Sequence, residues 1–68
     1  MEKWRRSEMK QLIGKRCKLT ILDPLHNKPL YYTAKQVTGV TETHIFFIDK
    51  FGNKMAFRLI DILQIDIL

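Results

Sequence analysis

The chain has 68 residues, of which 46% are hydrophobic, and it carries a formal net charge of +5 at pH 7. A chain of this length forms a single domain and buries only about 60% of its unfolded surface, so oligomerisation or a bound partner often supplies further stability. The hydrophobic content is that of a folded protein and argues against intrinsic disorder. No apolar run reaches the roughly 18–20 residues of a membrane span, and the start lacks the apolar stretch of a secretory signal.

The excess positive charge is confined to residues 1–18, which we call the basic head. The head contains seven basic and two acidic residues, whereas residues 19–68 contain five of each. A localised cationic segment attracts polyanions such as nucleic acid, acidic protein or anionic membrane, and it contributes little to the choice of fold.

Residues 2–13 are predicted to form a helix, because good helix formers dominate and neither Pro nor Gly interrupts them. Gly14 follows where a left-handed C-terminal cap is favoured. The helix would have an apolar face that packs on the rest of the chain and a basic face beside it. The apolar face consists of Met9, Leu12 and Ile13, and the basic face of Lys3, Arg6 and Lys10.

After the predicted helix the hydrophobic period changes to two. Cys17, Leu19 and Ile21 alternate with polar residues, which predicts a half-buried first strand. The only cysteine is Cys17, so an intrachain disulfide is excluded, and we expect a reducing, cytoplasmic setting in which Cys17 is a small buried side chain. Residues 23–29 carry two prolines and predict a loop, and residues 31–40 predict a second strand.

The second half of the chain predicts three more strands, at residues 44–49, 54–60 and 63–68. The third strand is apolar on both faces, which is typical of a central or covered strand. A hairpin at residues 50–53 offers Gly52 for a positive φ. The alternation breaks at residues 60–62, where we expect a sharp bend or one turn of 3₁₀-helix.

Consecutive strands with short connections pair antiparallel, and five such strands tend to curl into a small barrel that hides its edges. The predicted fold is therefore mainly β, with an N-terminal helix at residues 2–13 and a strongly bent, five-stranded antiparallel small barrel at residues 16–67. This plan resembles the Sm-like (Hfq-like) and SH3-like barrels over roughly residues 8–67. Three segments carry the resemblance to the Sm-like proteins: LIGKRCKLTIL, VTGVTETHIFFID and KMAFRLIDILQIDI.

The second half also resembles the YolD-like proteins of Gram-positive bacteria and their phages and plasmids. In those proteins an alternating apolar stretch leads to FGN and two further strands, which here is IFFIDKFGNKMAFRLIDILQIDI. The resemblance implies an Sm-like barrel and a regulatory role linked to nucleic acid or to damage-response polymerases.

The Sm-like resemblance also implies contacts outside the head. An Asp-plus-Asn signature between the second and third strands of Sm-like proteins grips a base; here His44 stands near the Asn position, and the Asp is missing. Arg58 matches the Arg of an Arg-Gly pair, but Leu59 replaces the Gly, and the Lys-His pair of Hfq is absent. The resemblance therefore implies the fold but no specific uridine pocket.

Signals for an enzyme are lacking. His26 and His44 have no Cys or carboxylate pattern at metal-ligand spacing. There is also no glycine-rich phosphate loop, nucleophile elbow or zinc motif. We expect neither a catalytic site nor a metal or cofactor.

The basic head is the better functional candidate, because nucleic-acid binding requires cations that follow phosphates and, for single strands, exposed rings on which bases stack. The aromatic residues expected at the surface are Trp4, Tyr31, Tyr32 and Phe51, whereas Phe46, Phe47 and Phe57 are expected in the core. The candidate nucleic-acid-binding residues are Lys3, Trp4, Arg5, Arg6, Lys10, Lys15, Arg16, Lys18, His44 and Arg58.

Two hypotheses follow. The first is a cytoplasmic Sm-like regulator of phage or plasmid type that binds RNA or single-stranded DNA with weak sequence preference. The alternative is a protein–protein interaction module, such as a YolD-like adaptor, that docks on an acidic protein through the head or the apolar tail without contacting nucleic acid. The third strand and the tail are more apolar than a lone small barrel easily covers. Either strands pair between subunits or the helix lies across the barrel mouth; we expect a homo-oligomer, a ring or a dimer, and no membrane partner.

Overall fold

A computed structural model describes residues 6–68, with side chains from Glu8 onward. A short helix precedes five strands, and a single 3₁₀ turn at Leu59–Asp61 joins the last two strands. The mainly β character of the fold is therefore confirmed. The helix is α1 (Arg6–Lys10), and the strands are β1 (Cys17–Asp23), β2 (Lys28–Val40), β3 (His44–Asp49), β4 (Lys54–Arg58) and β5 (Ile62–Ile67).

The five strands form one sheet in the order β4-β3-β2-β1-β5. Every neighbouring pair is antiparallel, which the short connections predict for the consecutive strands, and β5 returns to pair with β1. Within the described residues the sheet is open, because β4 and β5 are its edges and do not pair with each other.

The alternation predicted for β1 is confirmed. Cys17, Leu19 and Ile21 are each at most 1% exposed, whereas Lys18 between them is exposed. Burial raises the pKa of the Cys17 thiol, so this side chain stays neutral and behaves as a small apolar residue. One face of β1 therefore lies on the core, and the other is open to polar ligands.

Strand β2 begins at Lys28, earlier than predicted, and Pro29 lies inside it opposite Leu22. The β2–β3 pairing starts only at Ala34, so the first part of β2 has β1 as its sole strand neighbour and tolerates a residue without an N–H. Asn27, at φ 53°, closes the shortened turn in the left-handed region.

The helix ends at Lys10 rather than at the predicted residue 13, and residues 2–5 lie outside the described part of the chain. Three successive i→i−3 hydrogen bonds tighten the chain after it, from Gln11 to Ile13. Gly14 has φ +86°, as predicted for a left-handed terminator, and its N–H donates to the Val37 carbonyl at 2.7 Å.

Of the predicted apolar helix face, Met9 and Leu12 are buried in the core, but the placement of Ile13 was wrong. Ile13 forms an isolated bridge to Val37 and is 46% exposed. The early end of the helix explains the difference, because Ile13 has left the helical phase that would have placed it beside Met9.

The core carries a cluster of three aromatic rings. The Tyr32 ring centroid lies 4.9 Å from that of Phe57 and 6.3 Å from that of Phe47, and Phe47 is 1% exposed. Phe47 and Phe57 therefore contribute to the core as predicted, whereas the surface position predicted for Tyr32 was wrong. Phe46 points the other way along β3 and is 39% exposed, so its expected core position was also wrong.

The expected break near residues 60–62 is present as the 3₁₀ turn, in which the Leu59 N–H donates to the Thr43 carbonyl at 2.8 Å. Strand β5 follows this turn and pairs with β1, and a bulge near Thr20 shifts the register of that pairing. Ile62 is fully buried, but Leu63 and Ile67 are 41% and 60% exposed, so β5 presents an apolar edge.

The hairpin between β3 and β4 is organised by the carboxylate of Asp49. Its Oδ1 accepts hydrogen bonds from the Phe51 and Asn53 N–H groups at 2.9 and 2.8 Å. Burial alone would raise the pKa of Asp49, but the hydrogen bonds from the turn outweigh it, and the pKa lies below its ordinary value of 3.8.

This arrangement predicts acid sensitivity. Because the lowered pKa belongs to the folded state, the unfolded chain binds the proton more readily, and the stabilisation from Asp49 is complete above pH 4 and lost as the pH falls through the folded-state pKa. We expect urea unfolding between pH 6 and pH 2 to show a fall in the free energy of unfolding at the acid end. Asp49→Asn should flatten this fall, and an unchanged pH profile in the variant would refute the assignment.

Candidate nucleic-acid interface

The structure describes part of the predicted interface. Lys3, Trp4 and Arg5 lie outside the described residues, and Arg6 is described only by its backbone. Four candidates of the head remain, and all four are exposed: Lys10, Lys15, Arg16 and Lys18.

The backbone of this segment is fixed by hydrogen bonds to the sheet. The Lys15 carbonyl accepts from the Val37 N–H at 3.1 Å, and the Arg16 carbonyl accepts from the Leu68 N–H at 3.0 Å. Lys18 lies within β1, opposite Thr33 of β2 and Asp66 of β5. The backbone that carries the cations from the helix exit to β1 is therefore held by hydrogen bonds to the sheet and is not a free tail.

Among the residues from Glu8 onward, no carboxylate forms an ion pair with Lys10, Lys15, Arg16 or Lys18. Asp66 faces Lys18 across the ladder, but its oxygens accept from Gln64 Nε2 at 3.1 and 3.0 Å. Within this part of the chain, the positive charges of the four residues are therefore not offset by an ion pair.

Sequence reasoning missed two cations that the fold brings to the same surface. Lys35 of β2 and Lys50 of the β3–β4 turn join Arg16 and Thr33 around a concave region of about 410 Å³, which we call the cationic depression. Their spacing along the chain gives no sign of this meeting.

Two of the predicted surface aromatics are exposed. Tyr31 is 76% exposed and lies opposite Thr20, on the polar side of the β1–β2 ladder. Phe51 is 77% exposed, and its ring centroid lies 5.1 Å from the Nζ of Lys50. Flat rings thus stand beside the cations on this side of the sheet.

The two candidates implied by the Sm-like resemblance lie elsewhere. His44 and Arg58 face each other across the β3–β4 ladder. The depression is at the other end of β3, about 17 Å away at roughly 3.3 Å per residue. The Arg58 guanidinium forms a bidentate ion pair with Asp61 at 2.9 and 3.2 Å, which offsets its charge. The predicted residues therefore fall on two separate surfaces.

The histidines have local partners. His26 Nδ1 lies 2.7 Å from Asp23 Oδ2, and this hydrogen bond lowers the pKa of Asp23. His44 Nδ1 lies 2.8 Å from the Thr43 hydroxyl, and its ring stacks on Phe46 at 6.3 Å. Within the described residues no group of three or more His, Cys, Asp or Glu side chains is arranged to hold a metal ion.

No helix among the described residues is long and apolar enough to cross a membrane. Comparison of the chain with models of protein families, with curated proteins and with solved structures gives no match. The Sm-like and YolD-like resemblance therefore stays a prediction, and the functional argument depends on the geometry of the surface itself.

Proposed function

We propose that the protein is a small cytoplasmic nucleic-acid-binding regulator that binds RNA or single-stranded DNA through the basic head and β1. The observation that carries the proposal is the set of exposed cations from the helix exit to β1, whose charges no described carboxylate neutralises. The exposed Tyr31 ring on the adjacent strand supplies the second element of single-strand recognition.

The proposal includes a closer likeness to Sm-like proteins. Among the described residues, the order β4-β3-β2-β1-β5 leaves one strand at each edge of the sheet with a single strand neighbour. Such edges are stabilised by pairing with another chain, and the exposed apolar residues Leu63 and Ile67 of β5 favour that pairing. We infer a strongly bent, barrel-like protomer that assembles into a ring or a dimer, in which the heads of several copies form one larger cationic surface.

Fluorescence anisotropy with short RNA and single-stranded DNA tests the proposal. If the four described head cations each neutralise one phosphate, the salt slope for a single strand is about −3, and affinity falls about 50-fold between 50 and 200 mM salt. Binding that does not change with salt, or no binding at low salt, would refute the proposal. A duplex of the same sequence is the control, since it cannot offer unstacked bases.

A second candidate function is supported by the apolar surface at the other end of the sheet. Ile60, within the 3₁₀ turn, is 74% exposed, and Leu63 of β5 is 41% exposed. We propose that an adaptor of this kind docks an apolar surface of a partner protein there. A partner complex that survives nuclease and is lost when Ile60 is replaced by Ser would favour this function, whereas loss of the complex on nuclease treatment would favour the first.

A further inference from the structure

Three cations from distant parts of the chain meet at the cationic depression. Arg16 precedes β1, Lys35 belongs to β2 and Lys50 to the β3–β4 turn. Like charges repel, so their convergence does not contribute to the stability of the fold. No carboxylate is among the described residues that line the depression, and none of the described carboxylates pairs with these three side chains.

The backbone holds these cations in place. Lys35 lies where the β2–β3 register shifts between Ala34 and Gln36, so it is the extra residue of a bulge, a feature that often re-aims a side chain. Lys50 follows Asp49, whose carboxylate is directed to the amides of the hairpin and does not line the depression. The hairpin therefore presents Lys50 while Asp49 fixes the turn.

The remaining groups indicate the class of ligand. Thr33 adds a hydroxyl that donates a hydrogen bond to an anionic oxygen. Tyr31 lies two residues before Thr33 on the same side of β2, about 7 Å away, and Phe51 follows Lys50. A free phosphate has no use for these exposed rings, whereas a single strand places a base beside each phosphate.

We propose that the cationic depression binds backbone phosphates of a single-stranded nucleic acid, with Arg16, Lys35 and Lys50 as phosphate contacts and Tyr31 and Phe51 as flanking platforms for bases. This inference rests on the proposed function and extends its site. The strand would run from the head across the polar face of β1 and β2 to the β3–β4 hairpin. Arg16 belongs to both the head and the depression and connects them.

The test uses the variant Lys35→Gln/Lys50→Gln, which leaves the head intact. A matched control, Lys28→Gln/Lys54→Gln, removes two charges from exposed lysines that do not line the depression. Each lost phosphate contact lowers log K by about 0.7 at 0.1 M salt, so the test variant should bind a short oligonucleotide about 25-fold more weakly and with a salt slope reduced by about 1.4. The control should change little.

The outcomes separate this inference from the proposed function. If the wild-type protein binds and the two double variants weaken that binding equally, or if neither weakens it, the depression is not the binding site. The head then remains the proposed site. No binding by the wild-type protein would overturn both. Amide chemical shifts supply the second measurement: an oligonucleotide should perturb Thr33, Lys35 and Lys50. Perturbation of these residues by inorganic pyrophosphate but not by the oligonucleotide would show a free-phosphate site and refute the nucleic-acid ligand.

Discussion

Replacing Phe47 with alanine is expected to unfold the protein or bring it close to unfolding. Phe47 is 1% exposed, and its ring centroid lies 6.3 Å from that of Tyr32 and 5.9 Å from that of Phe57. A buried Phe→Ala change costs about 3–5 kcal/mol, because apolar contacts are lost and a cavity is left. A chain of this length has a total stability of about 3–10 kcal/mol, so the loss is comparable with the whole.

The measurement is urea unfolding followed by circular dichroism. Phe51→Ala is the matched control, because Phe51 is 77% exposed and its truncation should change the free energy of unfolding by less than about 0.5 kcal/mol. Phe47→Leu provides a milder step if the alanine variant does not fold, and it should be less stable than the wild-type protein. Equal midpoints for Phe47→Leu and the wild-type protein would show that the core is centred elsewhere.

Neutralising two lysines of the head should weaken nucleic-acid binding strongly without changing the fold. Lys10 and Lys15 are exposed, and neither has a described carboxylate partner, so Lys10→Gln/Lys15→Gln removes charge but no internal ion pair. If each lysine neutralises one phosphate, affinity for a short single strand falls about 25-fold at roughly 0.1 M salt, and the salt slope decreases by about 1.4.

The same control pair, Lys28→Gln/Lys54→Gln, separates a local contact from the general effect of net charge. Both pairs lower the charge by two, but Lys28 begins β2 and Lys54 begins β4, away from the head in the sequence. Urea unfolding of both variants confirms that the fold is retained. If the two pairs weaken binding to the same extent, the protein attracts nucleic acid only through its overall charge, and the head is not the contact surface.

Much of the β fold was predictable from the sequence because alternation is a local property. The positions of Cys17, Leu19 and Ile21 indicated which face of β1 is buried, and the phase break before β5 indicated the 3₁₀ turn. The predictions were wrong where a contact between residues far apart in the sequence determines the local structure. Ile13, beyond the early end of the helix, forms a bridge to Val37, and Pro29 is accommodated because β3 does not reach it.

In the candidate site, too, some features were predictable from the sequence and others depend on tertiary contacts. The head was visible as a run of charge, and the exposure of Lys10, Lys15 and Lys18 agrees with it. By contrast, the positions of Lys35 and Lys50 depend on a bulge in β2 and on the turn that Asp49 closes. Neither feature is encoded in the spacing of the charges.

The sequence by itself determined the period of each strand, the positive φ at Gly14 and the concentration of charge at one end of the chain, because each depends on residues close together in the chain. Only the tertiary structure decided which cations share a surface. Strand register and a single-residue bulge determine where a side chain points, and a shift of one residue would move Lys35 to the other face of the sheet. The meeting of Arg16, Lys35 and Lys50 is therefore a property of the folded sheet.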